Sequence, residues 1–176
     1  TWLYLETMGE GDGKYLQIFE LMKNDVRFVT ADYLGIDPNQ PFDPESFVLS
    51  KRFDILGTYE AYKKFHVEED GIPKTEDLWT IVSTYTDWKV ELTSSIDMEL
   101  SVQEANTKRG SGQKETLPAG THFVLLKTDG EAYAEAILDD GRICEFELEH
   151  PSEEEWEGRI NGVSISDCFE YVPYAG

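Results

Sequence analysis

Residues 88–102 read WKVELTSSIDMELSV, and they carry the clearest periodicity in the chain. Large apolar side chains occupy every even position except Ser94, whereas charged residues, serine and threonine occupy the odd positions. A period of two with one polar face is typical of antiparallel β-structure that faces water on one side. The stretch therefore predicts either one long curved strand or two strands joined near Thr93, Ser94 and Ser95.

Further strand-like stretches lie toward the N terminus. Apolar and aromatic residues flank the glycines of residues 9–13, and this pattern predicts a β-hairpin. Prolines place residues 35–46 in a loop, because proline cannot donate to a sheet ladder. We therefore expect strands at Trp2 to Met8, Tyr15 to Met22, Val26 to Leu34 and Phe47 to Leu56.

The segment from Thr58 to Val67 carries a different pattern. Tyr59, Tyr62 and Phe65 recur at intervals of three residues, which is the spacing of one face of a helix. A short helix is therefore predicted for this segment.

Two Asp-Gly steps organise the sequence after residue 120. Asp129-Gly130 and Asp140-Gly141 each separate alternating runs, which is a strong signal for hairpins. A three-stranded meander is therefore predicted from Thr121 to Glu149, with Cys144 pointing into the core. We also expect a polar loop at residues 104–116, a tight turn at Ile160 to Val163 and a closing strand at Cys168 to Val172.

These patterns predict a mainly β fold of antiparallel strands. The chain has 176 residues, of which 40% are apolar, so a packed core is expected. Residues 68–77 combine charge with glycine and proline, as linkers do. They separate a β-rich N-terminal portion, residues 1–78, from a C-terminal portion, residues 79–176.

The charge balance restricts the partners. The chain has 36 acidic residues against 15 basic ones, giving a net charge of -21. Nucleic-acid binding draws most of its affinity from cationic groups, so we expect no nucleic-acid partner. No run approaches the roughly 20 apolar residues that a spanning helix needs, so membrane insertion is not expected either.

Motifs of catalysis and of cofactor binding are absent from the sequence. His66, His122 and His150 lie in unrelated contexts, and no nucleophile elbow, phosphate loop or dinucleotide-binding glycine motif occurs. We therefore expect no enzyme activity, no cofactor and no metal. Runs of carboxylates leave one alternative open, a small carboxylate-dependent hydrolase or carbohydrate-active domain.

Cys144 and Cys168 are the two cysteines of the chain. They form either one disulfide, which would stabilise the fold by about 3 kcal/mol, or a pair of buried free thiols. Their spacing does not resemble a zinc site, which needs two further ligands close by.

The C-terminal portion resembles a bacterial SH3-like domain. The resemblance rests on the run from Leu117 to Thr121, the step from Thr128 to Tyr133, and Asp140-Gly141-Arg142. In that family a small-Gly-Thr step starts one strand, and an aromatic residue follows the next turn. Tyr133 stands where the family usually has tryptophan, and no Gly-Trp-Val follows Asp140. The resemblance implies an SH3-like barrel over residues 79–176.

The end of the chain carries a second resemblance. Asn161-Gly162, Asp167-Cys168-Phe169 and the final Pro-Tyr-Ala-Gly are similar to the C-termini of secreted proteins and lipoproteins of clostridial gut bacteria. This implies an extracellular or cell-surface location. Strand-like sequence begins at Trp2 without an initiator methionine, so we expect a piece of a longer chain, compatible with a lipid anchor in a preceding segment.

Aromatic residues near strand ends are the remaining candidates for ligand binding. Tyr133, Trp79 and Trp156 are the candidates to present rings to a cell-wall peptide, a glycan or a protein partner, with core packing as the alternative for each tryptophan. The leading hypothesis is a non-enzymatic extracellular binding module. The alternatives are the carboxylate-dependent enzyme and a purely structural domain of a larger surface protein.

Overall fold

A computed structural model describes residues 2–8, 14–32, 35–36, 43, 46–67, 73–74, 78–81, 89–149 and 158–174. The chain divides into two compact units, one formed by Thr1–Lys51 with Tyr62–Asp77 and the other by Arg52–Ala61 with Leu78–Gly176. The fold is mainly β with antiparallel sheets, as the sequence predicts. The second unit contains the predicted C-terminal portion and adds residues 52–61 to it.

The first unit contains an antiparallel three-stranded sheet of β1 (Trp2–Met8), β2 (Lys14–Leu21) and β3 (Val26–Asp32). The predicted hairpin is thereby confirmed, as is the third strand up to residue 32. Alternate residues of β2 are buried, with Leu16 and Ile18 each 2% exposed. Short strands complete the unit, since β4 (Gly35–Ile36) pairs with β5 (Ser46–Phe53), and β7 (Pro73–Lys74) pairs with β6 (Tyr59–Val67).

The short helix predicted at Thr58 to Val67 is wrong, because β6 is an extended strand. Tyr59, Ala61 and Phe65 are buried at odd positions, while Glu60, Lys64 and His66 are exposed at even ones. Tyr62 is buried on the opposite side and completes a spacing of three that imitates a helix. In so short a segment the sequence fits both the strand period of two and the helical spacing of three. The pairing of β6 with neighbouring strands such as β7 decides between them.

The second unit contains the strands β8 (Trp79–Thr80), β9 (Glu91–Thr93), β10 (Met98–Gln103), β11 (Gln113–Leu117), β12 (His122–Thr128), β13 (Tyr133–Leu138) and β14 (Ile143–Glu147). In its sheet the strand order is β11, β10, β14, β13, β12, and β8 and β9 each pair with β12. The meander predicted from Thr121 to Glu149 is confirmed by β12, β13 and β14.

Two strands, β9 and β10, account for the alternating stretch of residues 88–102, and Trp88 lies outside the described residues. Ser94 takes its place in the buried stripe at 1% exposure. Its Oγ accepts from the Thr121 N–H at 3.0 Å and lies 3.2 Å from the Pro118 carbonyl oxygen. The single polar residue of the stripe is therefore satisfied by the turn that leads into β12.

The polar loop predicted at residues 104–116 is shorter than expected. Residues from Gln113 onward form β11, whose first four side chains are exposed and whose last, Leu117, is buried opposite Met98. A polar edge strand has no apolar alternation to reveal it, so its pairing with β10 is visible only in three dimensions.

Three phenylalanines form the centre of the second unit. Phe123, Phe146 and Phe169 meet edge to face, with ring centroids 5.3 to 6.1 Å apart. Around them lie the small and aliphatic side chains of the inner sheet face, which are Leu92, Leu100, Leu125, Ala134, Ala136 and Cys144.

The C-terminal segment forms a small hairpin and one helical turn. Asn161 (φ 52°) and Gly162 (φ 77°) join β15 (Arg159–Ile160) to β16 (Val163–Ser164), which confirms the predicted tight turn. The strand expected at Cys168 to Val172 is reduced to a bridge between Phe169 and Ser94, because α1 (Ile165–Cys168) precedes it. Among the described residues, none of the helical structure is long and apolar enough to cross a membrane.

Candidate functional site

The outer face of the β10, β14 and β13 strands carries the most densely connected polar side chains of the second unit. Cross-strand register places Glu135 of β13 directly opposite Glu145 of β14, and Glu145 opposite Ser101 of β10. Tyr133 precedes Glu135 by two residues and therefore shares its face. We call Tyr133, Glu135, Glu145 and Arg109 the Tyr133 cluster.

The two carboxylates converge on the hydroxyl group of Tyr133. The hydroxyl oxygen lies 3.0 Å from Oε1 of Glu135 and 2.9 Å from Oε1 of Glu145. Burial raises the pKa of Tyr133 strongly, and the charge of Glu135 acts in the same direction. The phenol therefore keeps its single proton and donates it to one carboxylate at a time.

Glu145 is a buried carboxylate, since it is 8% exposed. Burial by itself would raise the pKa of Glu145, but hydrogen bonds from the Gly110 N–H, Ser101 and Tyr133, together with the charge of Arg109, lower it overall. The N–H of Gly110 donates to Glu145 Oε1 at 2.9 Å. Glu145 consequently remains ionised at neutral pH and accepts hydrogen bonds without offering a proton.

Arg109 supplies the positive charge of the cluster. Its guanidinium carbon lies 3.8 Å from the centroid of the Tyr133 ring, so the cation covers one face of the ring. The distance identifies a cation–π contact. Among the described residues, no carboxylate lies within ion-pairing distance of the guanidinium, which distinguishes Arg109 from Arg142.

The loop of residues 104–112 brings Arg109 to this position. Gly110 adopts a φ of +73°, which favours glycine, and this conformation aims its N–H at Glu145. Gly112 passes so close to β10 that a Cβ there would lie 2.3 Å from the Ser101 Oγ. Two glycines of the sequence are therefore required by the path of the loop.

The Tyr133 cluster combines side chains that attract cations. It combines a half-buried aromatic ring, one satisfied and ionised carboxylate, and a second carboxylate directly opposite. A general acid would need a carboxyl group whose pKa is raised toward neutrality, whereas the pKa of Glu145 is lowered. The geometry therefore suits recognition of a positively charged group better than proton transfer.

The other two predicted ligand-binding aromatics do not join Tyr133. Trp79 is buried at 8% exposure, and its ring packs edge to face on Phe53 at 5.2 Å. Trp79 pairs with the buried Thr128, so it lies on the inner face of the sheet, opposite the face of Tyr133. Trp156 lies outside the described residues.

Cys144 and Cys168 are both buried, and they are not joined in a disulfide. Of the two alternatives that the sequence leaves open, the structure has the buried thiols. The Cys144 thiol donates to the Ala136 carbonyl at 3.6 Å, and burial raises its pKa to about 12. The inward orientation predicted for Cys144 is confirmed, and so high a pKa excludes a reactive thiolate near neutral pH.

Other polar side-chain pairs of the second unit lie at its surface. Nδ1 of His122 is 2.9 Å from Asp139, and Arg142 makes contacts of 2.7 Å with both Glu115 and Asp140. The contacts of Arg142 are ordinary surface ion pairs. Within the described ranges, no three histidine, cysteine, aspartate or glutamate side chains are grouped so that they could hold a metal ion.

Sequence reasoning identified Tyr133 but missed its partners. The Asp140-Gly141 turn fixes the register of β13 and β14, so the pairing of Glu135 with Glu145 could have been counted outward from that turn. No sequence signal places Arg109 on the ring, because that contact depends on how the loop returns to the sheet.

Comparison of the chain with protein-family models, with curated proteins and with solved structures gives no match.

Proposed function

We propose that this protein is a non-enzymatic binding module at a bacterial cell surface, with an SH3-like second unit and Tyr133 at the centre of its binding face. The observation that carries the proposal is the aromatic ring of Tyr133, half-buried and flanked by two carboxylates, one of which is held ionised. The ligand is a cell-wall peptide, a glycan or a partner protein.

The SH3-like assignment is supported by where its motif residues lie. The run from Leu117 to Thr121 connects β11 to β12, and Asp129-Gly130 connects β12 to β13. Asp129 caps this turn, since its Oδ1 accepts from the N–H groups of Glu131 and Tyr133. These are the small-Gly-Thr and turn steps on which the resemblance rests, and the secreted location is proposed from the resemblance of the C terminus.

The enzymatic alternative is less well supported by the same cluster. Two acids do converge beside an aromatic ring, as a carboxylate-dependent hydrolase requires. Catalysis would also require one acid to hold a proton at neutral pH, and the lowered pKa of Glu145 opposes this.

The test is a pull-down of the purified chain on insoluble peptidoglycan and on a panel of polysaccharides, repeated at increasing salt. We expect salt-resistant retention on one ligand and a loss of about tenfold or more in affinity for Tyr133→Ala, as for a central aromatic anchor. Tyr171→Ala is the matched control, because Tyr171 is 69% exposed and lies outside the cluster. Equal retention of Tyr133→Ala and wild type would contradict the assignment of the site, and retention on none of these ligands would favour a protein partner or a structural role.

A further inference from the structure

Arg109 occupies the aromatic ring that the proposed binding face would offer to a ligand. The geometry points to a more specific conclusion, which rests on the proposed function: Arg109 is an internal occupant of a cation site, and the external ligand is an arginine-bearing basic peptide segment that displaces it. The loop of residues 104–112 thus acts as a built-in competitor for the ring of Tyr133.

The composition of the site matches a guanidinium. Tyr133 offers a ring face, and Glu135 and Glu145 place two carboxylates at the hydroxyl end of the same ring. A planar cation gains from both, by cation–π attraction and by hydrogen bonding to carboxylate. Arg109 shows that the ring accepts this group at a centroid distance of 3.8 Å.

Arg109 is held more weakly than Arg142. Arg142 is fixed by two carboxylates at 2.7 Å, whereas the guanidinium of Arg109 makes no ion pair of 4 Å or less within the described part of the chain. Arg109 is also exposed to solvent. Arg109 also acts on the Tyr133 hydroxyl as a hydrogen-bond partner, which lowers the pKa of Tyr133. A competing guanidinium therefore has to replace contacts with the ring and hydroxyl of Tyr133 and a longer-range attraction to Glu145, but no ion pair of 4 Å or less.

The loop backbone is anchored independently of the Arg109 side chain. Gly110 donates to Glu145, and Ser111 N–H donates to the Lys108 carbonyl at 3.1 Å. The side chain of Arg109 can therefore swing off the ring while these contacts persist. Displacement is a side-chain exchange and does not require the loop to unfold.

The local charge favours a second cation. Glu135 and Glu145 carry two carboxylates at the Tyr133 hydroxyl, whereas one cation, Arg109, covers the ring. Lys127 lies opposite Glu135 on β12 and Lys114 opposite Ser101 on β11, yet neither pairs with Glu135 or Glu145 within 4 Å. The chain as a whole carries a charge of -21, which also attracts basic peptides.

The experiment measures binding of a hexa-arginine peptide by titration calorimetry at about physiological ionic strength, with a hexa-citrulline peptide as the uncharged probe. Arg109→Gln removes the competitor, and Lys108→Gln removes the same charge from the adjacent, exposed position of the loop. We expect Arg109→Gln to bind hexa-arginine about tenfold more tightly than wild type. Lys108→Gln should stay within about twofold, and hexa-citrulline should not bind.

A gain for Lys108→Gln equal to that for Arg109→Gln would reduce the effect to net charge and overturn the inference. It would also be overturned by weaker binding of Arg109→Gln, or by no binding of hexa-arginine to any variant. Tyr133→Leu in the Arg109→Gln background should abolish the gain, and melting curves of each variant confirm folding. The pull-down with Tyr133→Ala tests the site and Arg109→Gln tests its occupant, so the two failures are distinguishable.

Discussion

The two faces of the β12 to β14 meander are made of alternate residues of the same three strands, yet they differ in burial and polarity around Tyr133. The inner face presents Ala134, Ala136 and Phe146, all fully buried. The outer face presents Tyr133, Glu135 and Glu145, and both carboxylates lie within hydrogen-bonding distance of the Tyr133 hydroxyl. Strands β13 and β14 therefore carry stability and candidate function in alternation, and single substitutions separate the two.

The largest effect is expected on the inner face, from Phe146→Ala. Phe146 is fully buried between Phe123 and Phe169, so its removal leaves a cavity that the surrounding sheet cannot fill. The free energy of unfolding should fall by about 3 to 5 kcal/mol, measured by urea denaturation. Glu147→Ala, at the next, exposed position, is the control. A loss below about 1 kcal/mol for Phe146→Ala would contradict the assignment of packing stability to the inner face.

On the outer face, Glu145→Gln should cost about 1 to 3 kcal/mol at neutral pH, because a charged acceptor of three hydrogen bonds becomes a neutral amide. The folded-state pKa of Glu145 is lowered, so its stabilising contribution is present above the unfolded-state pKa and is lost as the pH falls. The difference in stability between wild type and variant should therefore shrink below about pH 4.

Glu147→Gln is the control for this titration, since Glu147 is exposed on the same strand. Its free energy of unfolding at neutral pH should stay within about 0.5 kcal/mol of that of wild type. A difference between wild type and Glu145→Gln that stays constant from neutral pH into acid would show that the charge of Glu145 does not contribute.

Ser94→Ala tests the inner face itself, because Ser94 is a polar residue within the inner, apolar stripe. The substitution removes the contacts of the Ser94 Oγ with the Thr121 N–H and the Pro118 carbonyl, while the Thr121 N–H keeps its bond to the Pro118 carbonyl at 3.1 Å. The expected cost is about 0.5 to 1.5 kcal/mol. Ser95→Ala, at the adjacent exposed position, should change the unfolding free energy by less than about 0.5 kcal/mol. Equal effects of the two substitutions in thermal and urea unfolding would contradict this account.

The smallest effect is expected from Tyr59→Phe. Tyr59 is 7% exposed, and its hydroxyl makes no hydrogen bond of standard geometry to the described residues, although Thr128 lies near enough to lower its pKa. Removing an unsatisfied buried hydroxyl should leave stability unchanged or raise it by up to about 1 kcal/mol. A clear loss of stability in chemical denaturation would show that this hydroxyl is satisfied in solution.

Local patterns predicted the strands that they specify by themselves. The alternation of residues 88–102 and the two Asp-Gly turns fix strand faces and registers within a few residues of sequence, so β9, β10 and the meander followed from them. In contrast, β6 was predicted as a helix and the β11 residues as a loop. Their structure is decided by pairing with β7 and β10, which the pattern within either segment does not contain.

The candidate site was only partly predictable for the same reason. Tyr133 could be identified because it follows a recognisable turn. Alternation along β14 correctly assigns Glu145 to the face opposite Cys144 and Phe146. Arg109 could not be identified, because its position depends on the left-handed Gly110 and the close approach of Gly112 to β10. Trp79 was a ligand-binding candidate with core packing as the alternative, and its pairing with the buried Thr128 places it in the core.

The buried thiol of Cys144 has a practical consequence for following this fold in real time. With a pKa of about 12 and no exposed surface, the sulfur is closed to thiol-exchange reagents near neutral pH while β13 and β14 remain paired. Covalent labelling at Cys144 then proceeds through molecules whose sheet has transiently opened. The labelling rate reports the free energy of that opening under native conditions, without denaturant and without an attached fluorophore.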